Sequence, residues 1–504
     1  MFFVNKMKNT NKQFAGGAVL SYITIAFNVV SGLLYTPWMI RTIGDDQYAL
    51  YTLALSVINL FLIDFGITSA VAKFLSAYYA DKDYDKAEKF MGIVYKIFLF
   101  IAAVIFLCLF VFYFLLDGIY VKLTPSELTV FKRLFIIVSV YSVFSFPALT
   151  FNSVLMANEK FIDVKICNLL NKVLSVALII VCLLCNYGVY SLVLVHAFVN
   201  FFIIGLKYYF VRRHTKQRGD FKSWDKGIAK NIFTFTSWIT VRDFAQRCIF
   251  TIMPTIIAAV IGSKEITIFS LAATLEGYVF TFADAINGMF MPKISKIVRK
   301  ENANQQIQQL MTTVGKFHIF TIGLIFIGFV CVGKTFIHLW VGEQYNLVYI
   351  STIILLLPSI VDVPQQVAKT TLTVKDIVKE QSIVFVIMAV INVILSVVFL
   401  HFFGIVGATI AICIAYFIRT LGLNLLYRMH LQINLRRYFI SVYAKWIIIA
   451  AATLGASYLF SAWVQLSGFW NLILNGFFVV AVYGILYVVF HAKAIKSKFA
   501  SMRA

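Results

Sequence analysis

NIFTFTSWITVRDFAQRCIFTIMPTIIAAVIG, residues 231–262, is largely apolar yet carries Arg242, Asp243, Gln246 and Arg247 in its middle. As one helix it would reach roughly 48 Å, more than the roughly 30 Å hydrocarbon core of a bilayer. Its first turns, up to about Trp238, then protrude, and the charges fall in the cytoplasmic half of the span. Four residues separate Asp243 from Arg247, the spacing of a helical ion pair, which leaves Arg242 without a carboxylate on its own helix. Thr236, Thr240, Asp243, Arg247 and Thr251 recur on one face. Ionisable side chains at membrane depth face a partner helix or a water-filled cavity. One reading is an ion pair that only fixes helix packing. The other, carried forward here, is the cationic wall of a translocation cavity, with Arg242, Arg247 and Gln246 in it.

The rest of the chain supports a membrane setting. Its 504 residues are 61 % hydrophobic and 13 % charged, with mean hydropathy +0.88, too apolar for a soluble protein of this size. Apolar runs and their breaks predict an all-α membrane protein of about 14 transmembrane helices. They lie at about 15–40, 48–72, 92–116, 133–156, 166–187, 189–210, 231–262, 266–291, 315–338, 348–369, 383–402, 405–427, 440–463 and 469–490. The net charge of +22 invites a nucleic-acid partner, but Lys and Arg crowd the connections of one face while those of the other are slightly acidic. That is the positive-inside pattern, so the basicity reports topology and attraction to anionic membrane lipids, not nucleic acid. An even number of spans with basic ends, Lys6–Lys12 and Lys493–Arg503, places both termini in the cytoplasm.

The seven cysteines fall in or beside apolar spans and read as small buried hydrophobes, the lone Cys182–Cys185 pair included. His196, His318, His338 and His401 show no metal-ligand spacing, so no metal and no cofactor is expected. No Walker loop is present, which argues against ATP hydrolysis. Trp38, Trp340, Trp463 and Trp470 fit an outer interfacial belt and Trp446 an inner one.

A weak internal repeat lays the first span on the seventh. Pro37 and Pro254 precede Gly44 and Gly262 near the helix ends; Tyr51 and Phe269 follow, then the carboxylates Asp64 and Asp284. Six helices apart, the copies run parallel. The expected organisation is therefore two parallel six-helix bundles plus two C-terminal helices. Residues 1–210 form the first bundle, 211–230 a basic cytoplasmic linker, 231–427 the second bundle, and 428–504 two extra helices and a basic tail.

Polar residues inside the other spans supply the remaining candidates. The first helix has Ser21, Thr24, Asn28, Ser31 and Tyr35 at alternating steps of three and four, one polar stripe. The eighth carries Glu276 and Asp284; the tenth carries Ser359, Asp362 and Gln366 on one face. Arg419, in the twelfth, lies close enough to the inner end to snorkel.

RTIGDDQYALY (41–51), IDFGITSAVAKF (63–74), GMFMPKIS (288–295) and LWVGEQY (339–345) together resemble the polysaccharide-exporter branch of the multidrug/oligosaccharidyl-lipid/polysaccharide exporter superfamily. That branch includes the Wzx-type O-antigen flippases. Ala49 departs from a glycine common in the family, a change that touches packing. The resemblance covers the whole chain. It implies a V-shaped pair of bundles in the bacterial inner membrane that moves undecaprenyl-diphosphate-linked oligosaccharide to the outer leaflet, with a polysaccharide polymerase as a partner. It implies a transporter, not an enzyme.

Such cargo needs cations for its diphosphate and hydrogen-bonding side chains for its sugars. Arg242 and Arg247 offer bidentate contacts to phosphate, and Asn28 and Tyr35 suit sugars. Export against a gradient needs coupling to H⁺ or Na⁺, for which Asp64, Asp243, Glu276, Asp284 and Asp362 are the carboxylates available. Glu276 and Asp362 are preferred, and Asp243 is disfavoured by its arginine neighbour. Two other transporter readings stay open: a lipid II-type flippase and a cation-coupled drug exporter. A membrane polysaccharide polymerase or glycosyltransferase is the alternative of another class, although the outer loops are short for such chemistry.

Overall fold

The computed structural model describes residues 2–62, 65–215, 218–222, 225–287, 291–298, 300–464 and 468–503, and every regular element among them is helical. Contacts divide the chain into two compact units, Met1–Thr267 and Ile268–Ala504. The charged seventh span therefore makes its contacts with the first six.

The first unit holds α1 (Phe2–Ile43), α2 (Asp45–Phe61), α3 (Ile67–Ala80), α4 (Tyr84–Ile119), α5 (Pro125–Ser145), α6 (Thr150–Ala157), α7 (Phe161–Leu184), α8 (Val189–His214), α9 (Lys226–Phe250) and α10 (Met253–Val260). Several starts are written locally. Thr124 and Glu127 close a capping box at α5, with Pro125 in its first turn. Asp225 accepts from the Gly227 amide at 2.7 Å and caps α9. Asp83 caps α4, taking the Lys86 ammonium at 2.7 Å and the Lys86 amide at 3.1 Å, and these two donors hold its carboxyl below the ordinary range. The polar stripe of α1 turns largely onto its own helix. The Ser21, Thr24 and Ser31 hydroxyls donate to the carbonyls of Gly17, Leu20 and Asn28, and Tyr35 donates to Met39 Sδ.

The basic linker does not hang free. The Asp220 amide donates to the Glu88 carbonyl at 3.1 Å, Phe221 stacks on Tyr95 with ring centres 5.7 Å apart, and His214 meets Asp163 at 2.5 Å.

The second unit begins within α11 (Lys264–Asn287) and continues through α12 (Met291–Ile297), α13 (Ala303–Trp340), α14 (Asn346–Asp362), α15 (Gln366–Val374), α16 (Val378–Leu431), α17 (Leu435–Val464) and α18 (Gly468–Arg503). Gly404, at φ 56° and ψ −143°, splits α16 into two helices, as the apolar pattern predicts. The last two helices dock on α13 through a buried cluster of Ile327, Ile449, Ala450, Val479 and Tyr483. Apolar contact alone drives little association in lipid, so close packing and hydrogen bonds matter more. The Tyr483 hydroxyl donates to the Phe320 carbonyl at 3.0 Å, and the Trp446 indole lies against Gly323. Trp446 thus packs at a helix interface.

Among the described residues, ten helices are long and apolar enough to cross a membrane, or eleven with one bent pair counted. The expected second span, which breaks after Phe61, and the expected eighth are not among them, and the expected eleventh and twelfth count as one, α16. Cys108 and Cys185, the latter just past α7, are exposed and Cys182 and Cys331 half-buried, so only three of the seven cysteines are buried as expected.

Candidate functional site

Three spans of the first unit lose their helical course around one cleft. The second breaks between α2 and α3, where Phe65 and Gly66 adopt φ 53° and 66°. A Cβ on Gly66 would lie 2.9 Å from Ile239 Cγ2, so glycine is needed for both conformation and close approach. The fourth span passes from α5 into a 3₁₀ turn, Phe146–Leu149, at Pro147, whose ring lacks the N–H that would continue the ladder. The seventh bends by 44° between α9 and α10, with Pro254 in the first turn of α10. Interrupted backbone at membrane depth is tolerated only where protein or a wet cavity satisfies it. Accordingly Ser56 Oγ donates to the Thr251 carbonyl, and the Arg247 guanidinium donates to the Asn59 carbonyl.

The cleft has a volume of about 620 Å³. Its polar lining comprises Asn59, Thr68, Ser142, Ser145, Asn152, Ser153 and Arg247; Leu62, Phe146, Leu149 and Met156 complete it. Among the described residues, Arg247 is the one ionisable side chain in this lining. The buried Asn152 Oδ1 has no hydrogen-bond partner among the described residues. A guanidinium beside amides and hydroxyls can hold an anion with a hydroxylated group attached.

The structure rearranges the predicted set. Asp243 pairs with its neighbour Arg242, Nη2 to Oδ1 at 3.0 Å, and not with Arg247. The backbone carbonyl of Asn59 occupies Arg247, so Arg242 is the arginine with a carboxylate on its own helix. Thr236 is buried and packs on Gly66, so the proposed wet face does not extend that far. Asn28, Tyr35, Arg242 and Gln246 are half-buried and do not line this cleft. Asp64 and the Asp284 side chain lie outside the described residues. The broken helices were the missed signal; Pro147 and the Phe65–Gly66 pair carried it.

A second buried polar cluster lies in the other unit. Arg419 does not snorkel: it is 1 % exposed, and its Nη2 sits 2.8 Å from Asp362 Oδ1, with the guanidinium carbon 4.1 Å from the Tyr416 ring centre. Ser359 Oγ donates to Glu276 Oε1 at 3.2 Å, and Glu276 is itself buried. The break at Pro364 explains two more bonds. Lacking an N–H, Pro364 leaves the Ile360 carbonyl without its ladder partner, and the Tyr443 hydroxyl donates to it at 3.0 Å. Tyr438 likewise donates to the Pro364 carbonyl at 2.8 Å. Among the described residues no group of three or more His, Cys, Asp or Glu is placed to hold a metal ion.

These helices define an all-α membrane protein with the fold of the multidrug/oligosaccharidyl-lipid/polysaccharide exporter superfamily. The structure is similar to the lipid II flippase MurJ in an inward closed conformation, with TM-score 0.71 and 15 % identity over 95 % of this chain and all of that one. It is also similar to an inward-facing multidrug-resistance MATE transporter, with TM-score 0.61 and 13 % identity over 82 % of this chain and 98 % of that one. A superfamily transporter from Pyrococcus furiosus gives TM-score 0.63 and 13 % identity over 84 % of this chain and 96 % of that one. No curated protein matches the chain in sequence. Residues 15–298, more than half of the chain, match the polysaccharide biosynthesis protein family, and the chain belongs to that family.

Proposed function

We propose that this protein is a secondary transporter that flips undecaprenyl-diphosphate-linked oligosaccharide from the inner to the outer leaflet of the bacterial inner membrane. It works by alternating access and draws on an H⁺ or Na⁺ gradient. The observation that carries the reading is Arg247, a permanent cation held at membrane depth beside amides and hydroxyls. A site for a drug cation would instead present carboxylates. Arg247 serves the diphosphate, and Asn59, Asn152 and the serines serve the first sugar. We assign Arg242, Gln246, Asn28 and Tyr35, which lie outside this cleft, to the remaining sugars. Glu276 is the carboxylate best suited to carry the coupling ion, because Arg419 already neutralises Asp362. A polysaccharide polymerase would receive the exported unit.

The experiment is a deletion strain with a radiolabelled lipid-linked repeat unit. Loss of the protein should leave the unit on the inner leaflet, and normal arrival at the outer face would refute the assignment. A lipid II-type flippase is the second reading, favoured by the similarity to MurJ over nearly the whole chain. Lipid II transport by purified protein in vesicles, in preference to oligosaccharide, would select it.

A further inference from the structure

The second unit holds another cleft, of about 630 Å³, well away in sequence from the charged seventh span. Its walls are the first three turns of α13, the loop after α16 and the start of α17. Among the described residues six amides line it (Asn304, Gln305, Gln308, Gln309, Gln432 and Asn434), with three hydroxyls and Arg437, and neither a carboxylate nor an aromatic ring. Some of these groups are spent on bonds within and between the walls. Gln308 Oε1 accepts from the Asn434 amide at 2.8 Å, Asn434 Oδ1 accepts from the Arg437 amide at 2.9 Å, and Asn304 Nδ2 donates to Gln432 Oε1 at 3.1 Å. Gln432 reaches its place through a left-handed turn, φ 53°. Others remain available. Among the described residues, the side chains of Gln305, Gln309, Ser441 and Arg437 form no hydrogen bond, and Gln305, Gln309 and Arg437 are exposed.

The lining chemistry decides the ligand class. A metal cation would require carboxylates, and none lines the cleft. A bare anion is met by several cations, whereas the lining offers one guanidinium among amides, and the neighbouring Lys375 ammonium is spent on Asn304 Oδ1 at 3.3 Å. Amides present a donor and an acceptor on one planar group, which is what hydroxyl groups of a polyol need. The guanidinium adds a forked contact to one phosphate. We infer that this cleft binds a phosphate ester of a sugar or polyol, with Arg437 on the phosphate and Gln305 and Gln309 on the hydroxyls. The inference rests on the proposed function only in that a lipid-linked sugar phosphate is one source of such a group; a soluble sugar phosphate is the other.

The test uses the full chain in nanodiscs of neutral lipid, with calorimetric titration of glucose 1-phosphate, glucose and inorganic phosphate. Glucose 1-phosphate should bind at least about tenfold more tightly than either component. Gln305→Ala with Gln309→Ala should weaken it about tenfold while leaving phosphate binding unchanged, and Arg437→Ala should weaken both. These residues are exposed, so the variants should fold, and an unchanged melting temperature checks this. Phosphatidylglycerol in the nanodiscs should compete with the probe if the occupant is lipid-borne and leave it unaffected if it is soluble. Equal binding of phosphate and glucose 1-phosphate, or none by either, overturns the inference. Sugar phosphate binding without flipping would sink the transport reading alone; flipping without binding would sink this one alone.

Discussion

The Arg247 guanidinium donates to the backbone carbonyl of Asn59, within the last turn of α2. A cation from the seventh span is thus fastened to the broken second span, and its remaining N–H groups are left for a ligand at the cleft. Arg247→Ala should reduce transport about tenfold or more, the scale of one charge-assisted hydrogen bond, while Arg247→Lys should recover part of it. Leaflet-specific labelling of the lipid-linked unit measures this. Equal rates in wild type and Arg247→Ala would remove Arg247 from the mechanism.

Arg419 and Asp362 form an ion pair with both side chains almost wholly buried. Losing one partner leaves a buried charge uncompensated, at a cost of about 3–5 kcal/mol. Arg419→Leu and Asp362→Leu should each lower the melting temperature of the purified protein sharply. The double variant should regain most of it, since an apolar pair restores neutrality. Additive losses would contradict the pairing.

Glu276 accepts from Ser359 and, among the described residues, forms no ion pair. Glu276→Gln keeps an acceptor for that hydroxyl and removes the titratable group. It should leave the melting temperature near wild type and abolish the dependence of transport on an imposed proton or sodium gradient. Intact coupling in this variant would point elsewhere.

Gly323 faces Trp446 so closely that an added Cβ would sit 2.1 Å from the indole nitrogen. Gly323→Ala should destabilise by about 1–3 kcal/mol through overpacking. Trp446→Leu in the same chain should relieve the clash. A thermal melt of both variants decides the matter.

The linker is seated on α4 at Gly92, where a Cβ would lie 1.8 Å from the Asp220 carbonyl oxygen. That neighbour is backbone and cannot rotate aside. Gly92→Ala should therefore lift the 218–222 segment and raise tryptic cleavage there several-fold. The same cleavage rate as wild type would show that the linker accommodates the methyl group.

Much of this was legible in the chain. Twenty-residue apolar runs cannot hide in water, and a helix is the one open segment that satisfies its own backbone in lipid. The all-helical membrane architecture therefore follows from composition and period, as does the turn at Gly404. The capping residues Asp83, Thr124 and Asp225 also mark their helix starts locally. Pairing was not legible. From spacing, Arg247 belonged with Asp243 and Arg419 with the membrane surface, because only neighbours on one helix are visible in a sequence. Asn59 is 188 residues from Arg247, and Asp362 lies on a different helix from Arg419. Tertiary structure chose those partners, since a buried cation takes whichever acceptor the packed helices bring within about 3 Å, and a broken helix elsewhere in the chain supplies one.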